Sequence, residues 1–396
     1  MYNPKFVFSQ LVDFLNRNKF NRIIKKYGGD RYVKHFTCWN QLLVMMFGQL
    51  CNRESLRDLI VIIEAHRSKC YHLGFGKNVS KTNLAYANMN RDYRIFEEFA
   101  YFLVAEARVK RKTDIFNLGG NVYAFDSTTI DLCLSVFWWA RFRRHKGGVK
   151  VHFLYDVETQ IPAFFHITDA ATHDCKAMDE IPYESGSYYV FDKAYNDFKR
   201  LHRIAEVGAI FVLRAKKNLK FRIIRWKRRL PKNVLSDCVI ELTGYYPSKY
   251  YPAPLRLIRF WDEDQEREFM FLTNSFSLTS LQVALLYKNR WQVELFHKWL
   301  KQHLKIKKFW GTSENAVRIQ IYCALCSYCL VAIVQHDMKL ERSAYEVLQV
   351  LGVSLTDTTP LRELFDKTKS QNFNERSATD GQLYIIFKRP KILMGH

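Results

Sequence analysis

Tyr287, Arg290, Glu294 and Lys301 are separated by 3, 4 and 7 residues in the segment Tyr287-Lys-Asn-Arg-Trp-Gln-Val-Glu-Leu-Phe-His-Lys-Trp-Leu-Lys301. On one helix, at about 100° per residue, they fall at roughly 0°, 300°, 340° and 320°, a single narrow stripe. A solvated face laced with i,i+4 pairs, Arg290 to Glu294 with Lys298 beside them, gives the same pattern. Two upstream aspartates shift the balance. Each ends an apolar, β-like run: Val122-Tyr-Ala-Phe-Asp126 and Tyr188-Tyr-Val-Phe-Asp192. Aspartate disfavours strand interiors and often opens a turn, so either one alone carries little. Asp126, Asp192 and Glu294 brought together would be a hard-oxygen set able to hold two divalent cations about 4 Å apart across a phosphate. That chemistry is phosphodiester cleavage. A phosphatase with a strand-end Asp nucleophile would want a second Asp two residues on, where this chain has Thr128.

The charge balance points to the same substrate class. The 396 residues hold 61 Lys and Arg against 39 Asp and Glu, a formal +22, which suits a polyanionic partner. The cations come in runs: Arg17, Lys19, Arg22, Lys25 and Lys26; then Arg141, Arg143, Arg144, Lys146 and Lys150; then Arg214 to Lys232. Phe, Tyr and Trp are interleaved among them, suited to stacking on bases and equally to filling a core. No uninterrupted run reaches the roughly 20 apolar residues of a membrane span. The start of the chain has no signal-peptide pattern, so a cytoplasmic protein with nine reduced cysteines is expected. Cys323, Cys326 and Cys329 lack a second ligand pair at zinc spacing, and read as small buried hydrophobes.

The elements that must position these residues follow from the hydrophobic pattern. Residues 1–112 read as helical. From Asn121 the chain turns β-rich, with strands at 122–125, 149–155, 163–168 and 188–191, a helix at 198–206 capped by Asn196 or Asp197 and stopped by Gly208, and a strand at 210–213. That order makes a mixed α/β sheet. Short strands at 238–242, 255–261 and 269–272, around a Pro- and Gly-rich turn region, read as an inserted β subdomain. Helices are expected at 278–305, 315–335 and 344–351.

Taken together, Asp126-Ser-Thr-Thr, Asp192 after an apolar strand, and the Tyr-x2-Arg-x3-Glu-x6-Lys pattern of Tyr287, Arg290, Glu294 and Lys301 resemble the bacterial insertion-sequence transposases of the IS-four group. The likeness continues through Lys150-Val-His152, Thr172-His173-Asp174, Phe211-Val-Leu-Arg214 and Phe309-Trp-Gly-Thr-Ser, and covers about residues 120–335. It implies an α/β fold: an RNase H-like mixed-sheet catalytic domain (113–214 and 276–335) interrupted by the inserted β subdomain (215–275). A helical N-terminal DNA-binding domain (1–112) would precede it and a C-terminal region of unknown role (336–396) follow it.

The resemblance further implies a DDE transposase with Asp126, Asp192 and Glu294 as catalytic and metal-binding residues, and Mg2+ as the ion, with Mn2+ able to substitute. Tyr287, Arg290, Lys298, Lys301, Arg214 and Lys150 would contact DNA. The partners would be double-stranded DNA, both terminal inverted repeats and target, and a second copy of the chain in the synaptic complex. Cut-and-paste transfer through hairpin ends would use one site repeatedly, with Trp226, Trp261 or Trp291 as candidates to hold a flipped base. A catalytically silent DNA-binding protein derived from such an enzyme, or another RNase H-like nuclease, are the alternatives.

Overall fold

The computed structural model describes residues 5–76, 79–113, 115–133, 135, 137, 139–143, 146–304 and 309–366. Arg144 of the second basic run and residues 367–396 of the C-terminal region lie outside these. The helices are α1 (Val7–Val12), α2 (Arg17–Tyr27), α3 (Cys38–Leu50), α4 (Leu56–Ala65), α5 (Lys81–Asn90), α6 (Arg94–Arg111), α7 (Phe198–Glu206), α8 (Tyr245–Tyr250), α9 (Ser280–Asn289), α10 (Trp291–His303), α11 (Glu314–Asp337), α12 (Ala344–Ser354) and α13 (Leu361–Asp366). The strands are β1 (Val122–Leu132), β2 (Arg141–Arg143), β3 (Lys146–Asp156), β4 (Ile161–Asp169), β5 (Tyr188–Phe191), β6 (Ile210–Arg214), β7 (Phe221–Trp226), β8 (Val234–Leu242), β9 (Leu255–Asp262) and β10 (Arg267–Thr273). They fall into two compact units.

One unit, Met1–Lys112 with Ile130–Gly148 and Leu295–His396, is mainly helical. Its centre is α11, which packs on α3, α5, α6 and α12. This helix is longer than the apolar run suggests, because Ser313 caps it and Ser327 turns its hydroxyl back onto the Cys323 carbonyl, so the polar residue does not interrupt it. By length and composition it could cross a membrane, yet 94% of its most apolar stretch is buried within the protein. It is a core helix. Cys323, Cys326 and Cys329 all lie inside it, and burial pushes their thiols up.

The other unit, Thr113–Thr129 with Val149–Glu294, is built on a mixed sheet in the order β4-β3-β1-β5-β6-β10-β9-β8-β7. β1, β5 and β6 run parallel, and β10, β9, β8 and β7 continue from β6 as an antiparallel meander. The strands of 215–275 therefore extend the sheet instead of folding away from it. Tyr123, Phe125, Tyr189, Phe191, Phe211 and Leu213 supply the core on one face, where Leu201 and Ile204 of α7 join them. Asp197 caps α7 through the Arg200 N–H, and Gly208, at φ +78, ends it where a side chain would be strained. Four elements were not legible beforehand: β2, inside the second basic run, β7, inside the third, α8, inside the turn-rich segment, and α13, beyond the helix expected at 344–351.

Candidate active site

The parallel register places the two aspartates. Val122, Tyr123 and Ala124 of β1 pair with Tyr188, Tyr189 and Val190 of β5. Continuing that register by two residues brings Asp126 beside Asp192 on neighbouring strands about 5 Å apart. Side chains alternate along a strand, so Tyr123, Phe125, Tyr189 and Phe191 enter the core while both carboxylates leave the sheet on the opposite face. Asp126 is not a strand end, since β1 runs on to Leu132 through the β-branched Thr128, Thr129 and Ile130.

The third carboxylate comes from a segment that is two abutting helices rather than one. A Thr279–Gln282 capping box starts α9, and α9 ends at Arg290. The Arg290 N–H turns to the Tyr287 carbonyl and the Val293 N–H to the Arg290 carbonyl, each three residues back, which tightens the junction before α10. Arg290 sits at this joint. Its Nη2 lies 2.5 Å from Glu294 Oε1, and its Nη1 stands 3.8 Å from Asp126 Oδ2. Tyr287 donates from its hydroxyl to Asp192 Oδ1 at 2.9 Å, its ring packed on Phe271 and Phe269. Every one of the three acids is thus held by Tyr287 or Arg290. The guanidinium is largely buried, and its Nε has no hydrogen-bond partner among the described residues.

Burial pushes the Asp126 carboxyl up from 3.8 to about 6; Glu294 and Asp192 push the same way by repulsion, while the Ser127 N–H and Arg290 oppose it. The three acids therefore share one electrostatic environment. Burial also raises the Tyr287 hydroxyl to about 12, so it is a donor at neutral pH. Among the described residues, no three His, Cys, Asp or Glu side chains are drawn tightly enough to hold an ion as they stand. The donor chemistry nevertheless fits a divalent cation: three carboxylates, one kept from ionising easily by burial and by its neighbours, with a guanidinium as the present counter-charge.

The remaining sequence-selected residues are spread more widely. Arg214, at the end of β6, lies over the Phe269 ring and close enough to Tyr287 to act on its hydroxyl. Lys150 is buried, paired with Asp174 at 3.0 Å and donating to the Thr172 carbonyl at 2.8 Å, so its charge is already engaged. Lys298 is exposed and Lys301 half-buried, further along α10 in the helical unit. Of the tryptophans, Trp226, Trp261 and Trp291 are all exposed. Sequence reasoning passed over Ser127, which donates to Asp174 Oδ1 at 2.8 Å, and so links the residue after Asp126 to the Lys150–Asp174 pair. Both stood in quoted motifs, Asp126-Ser-Thr-Thr and Thr172-His173-Asp174, but nothing local indicated that they meet. His152 is wholly buried beside them, stacked on Phe125, and burial lowers it to about 4, so it is neutral.

Residues 117–330 match the family model described as the transposase DDE domain, and residues 4–76 match one described as a domain of unknown function, DUF4372. Transposase y4zB of Sinorhizobium fredii is 34% identical over 255 residues, 63% of this chain and 70% of that protein. The protein named as the transposase for insertion sequence element IS5377 of Geobacillus stearothermophilus is 30% identical over 208 residues, 52% of this chain and 54% of its own length. The one named for element IS4SA of Synechocystis is 26% identical over 268 residues, 65% and 72% of the two chains. With a match across more than half of its length, the chain belongs to the DDE transposase family, insertion-sequence enzymes that depend on divalent metal to cleave DNA and transfer its strands.

Proposed function

We propose that Asp126, Asp192 and Glu294 form a single Mg2+-dependent centre that nicks each end of an insertion sequence and then joins the freed 3′-hydroxyl to DNA. One observation carries the reading: a Tyr–Arg pair at one helix joint ties together three acids from β1, the end of β5 and α10. When bound, divalent cations supply charge stabilisation to the phosphate and acidify the attacking water or hydroxyl. The protein's own groups do the rest. The three carboxylates bring the negative charge that fixes those cations. Tyr287 orients Asp192, and Arg290 holds Asp126 and Glu294 within reach of each other before substrate arrives. Arg214, Lys298 and Lys301 neutralise phosphates of the bound end, where charge-assisted hydrogen bonds are strongest. Lys150 supports them indirectly, through Asp174 and Ser127.

Cut-and-paste transfer through a hairpin end, with a dimer pairing two ends, suits a site that must act on successive strands. The helical segment 1–112 is the reader of the terminal repeat. There α2 buries Phe20, Ile23 and Ile24 and leaves Arg22 and Lys25 exposed. The test is purified protein with its own element ends and Mg2+, nicks mapped on a gel. Asp126→Ala, Asp192→Ala and Glu294→Ala should each abolish cleavage and retain end binding; normal cleavage by any of them would defeat the reading.

A further inference from the structure

The sheet edge farthest from the carboxylates has no role in the chemistry above. From 214 to 232 the chain has ten Lys and Arg and no Asp or Glu. Much of it is β7, the edge strand of the meander, together with the loop that leads to β8. Arg222, residues 224–229 and Lys232 are exposed, including Trp226, which is 57% exposed. Arg222 pairs with Glu241, Lys232 with Glu263 at 3.3 Å, and Lys227 stands 3.8 Å from Asp237. Arg225, Arg228 and Arg229 have no acidic partner among the described residues.

Cations on an edge strand can serve only to stop sheets from joining. That purpose is already served here: the register of β7 on β8 slips between Ile223 and Arg225, a bulge that leaves Ile224 outside the ladder and spoils the edge for another strand. A second copy would moreover bring like charge to like charge. The surplus of unneutralised guanidinium groups around an exposed indole fits a phosphate backbone instead.

The sheet also sets how far such a backbone would lie from the carboxylates. Counting along the order β1-β5-β6-β10-β9-β8-β7 gives six inter-strand steps. At about 4.8 Å each they span roughly 29 Å, somewhat less with twist. In duplex DNA that is about 8 base pairs at 3.4 Å each. The geometry points to the β7 edge as a second duplex-binding surface, with Arg225, Arg228 and Arg229 gripping phosphates about 8 base pairs from the phosphate that is cut. This inference rests on the proposed carboxylate site only for its starting point.

The test is metal-free binding to two series of end duplexes, measured by fluorescence anisotropy. In one series the arm on the element side of the cleaved phosphate grows from 4 to 14 base pairs, and in the other the arm on the flanking side grows. Affinity should rise as one arm passes about 8 base pairs, and the series in which it does so identifies which DNA lies on β7. The triple variant Arg225→Gln, Arg228→Gln, Arg229→Gln should lose that rise. On long arms it should bind at least tenfold more weakly at ~0.1 M salt, and its log–log salt slope should be lower by about 2 to 3. Because all three positions are exposed, an unchanged melting temperature serves as the folding check, and Arg→Lys at the same positions should restore binding. A triple variant that matches wild type on long arms, or that loses affinity equally on all arms, overturns the inference. Metal-dependent nicking of a short-arm duplex by wild type, set against Asp126→Ala, reports on the carboxylate site separately.

Discussion

Replacing Asp126 by asparagine should stabilise the metal-free protein while removing its activity. The Asp126 carboxyl is raised from 3.8 to about 6, chiefly by burial, with Glu294 and Asp192 adding repulsion. Between those two pH values the folded protein holds a proton that the unfolded chain has released. Stability therefore falls as pH rises through the window, and the cost is complete above about pH 6. At 1.36 kcal/mol per tenfold the ionised carboxylate costs on the order of 3 kcal/mol net of the Arg290 attraction, and the neutral amide recovers that cost to the extent that it fits the site. Chemical denaturation with a chelator present, at pH 4 and pH 7.5, measures it. The variant should gain about 1 to 3 kcal/mol over wild type at pH 7.5 and little at pH 4. Added Mg2+ should stabilise wild type and close the gap. An asparagine variant no more stable than wild type at pH 7.5 would refute the argument that the acids are crowded in a site short of positive charge.

Tyr287→Phe keeps the ring against Phe269 and Phe271 and removes only the donor to Asp192. It should cost about 1.5 to 3 kcal/mol, read by the same denaturation, and lower cleavage more than end binding. Lys150→Met leaves Asp174 without its buried partner and should destabilise by about 3 kcal/mol, whereas the double variant Lys150→Met, Asp174→Leu should recover much of that loss. A double variant no better than the single one would mean that the pair is not what matters there. Arg256 is buried, paired with Asp237 at 2.6 Å, and donates to the Leu278 carbonyl just before α9. Arg256→Met should cost about 3 to 5 kcal/mol and slow cleavage by loosening the helix that carries Tyr287, which hydrogen exchange across 278–290 would register.

Much of the sheet was legible because its local signals agree. The runs before Asp126 and Asp192 are apolar at every position, as a strand buried on both faces requires, and the four-residue offset common to both reappears as their parallel register. The helix at 198–206 announced itself through Asp197 and Gly208. What stayed hidden depends on long-range pairing. β7 sets four apolar residues around two arginines, with the adjacent Ile223 and Ile224 at a bulge, so its alternation is broken and only β8 makes it a strand. The joint at Arg290 lies inside an uninterrupted helical pattern, and the contacts at Asp126 and Glu294 show how the bend is used. Ser127, Lys150 and Asp174 come from three separate segments, and no spacing along the chain predicts that they meet.

Manganese binding tests the central claim most directly. Mn2+ is titrated into protein bound to an uncleaved element end and followed by electron paramagnetic resonance, for wild type and for Asp126→Asn, Asp192→Asn and Glu294→Gln. The account predicts that each substitution weakens Mn2+ binding at least tenfold while the DNA stays bound. Undiminished Mn2+ affinity in any one of the three would remove that residue from the metal centre and contradict the shared site.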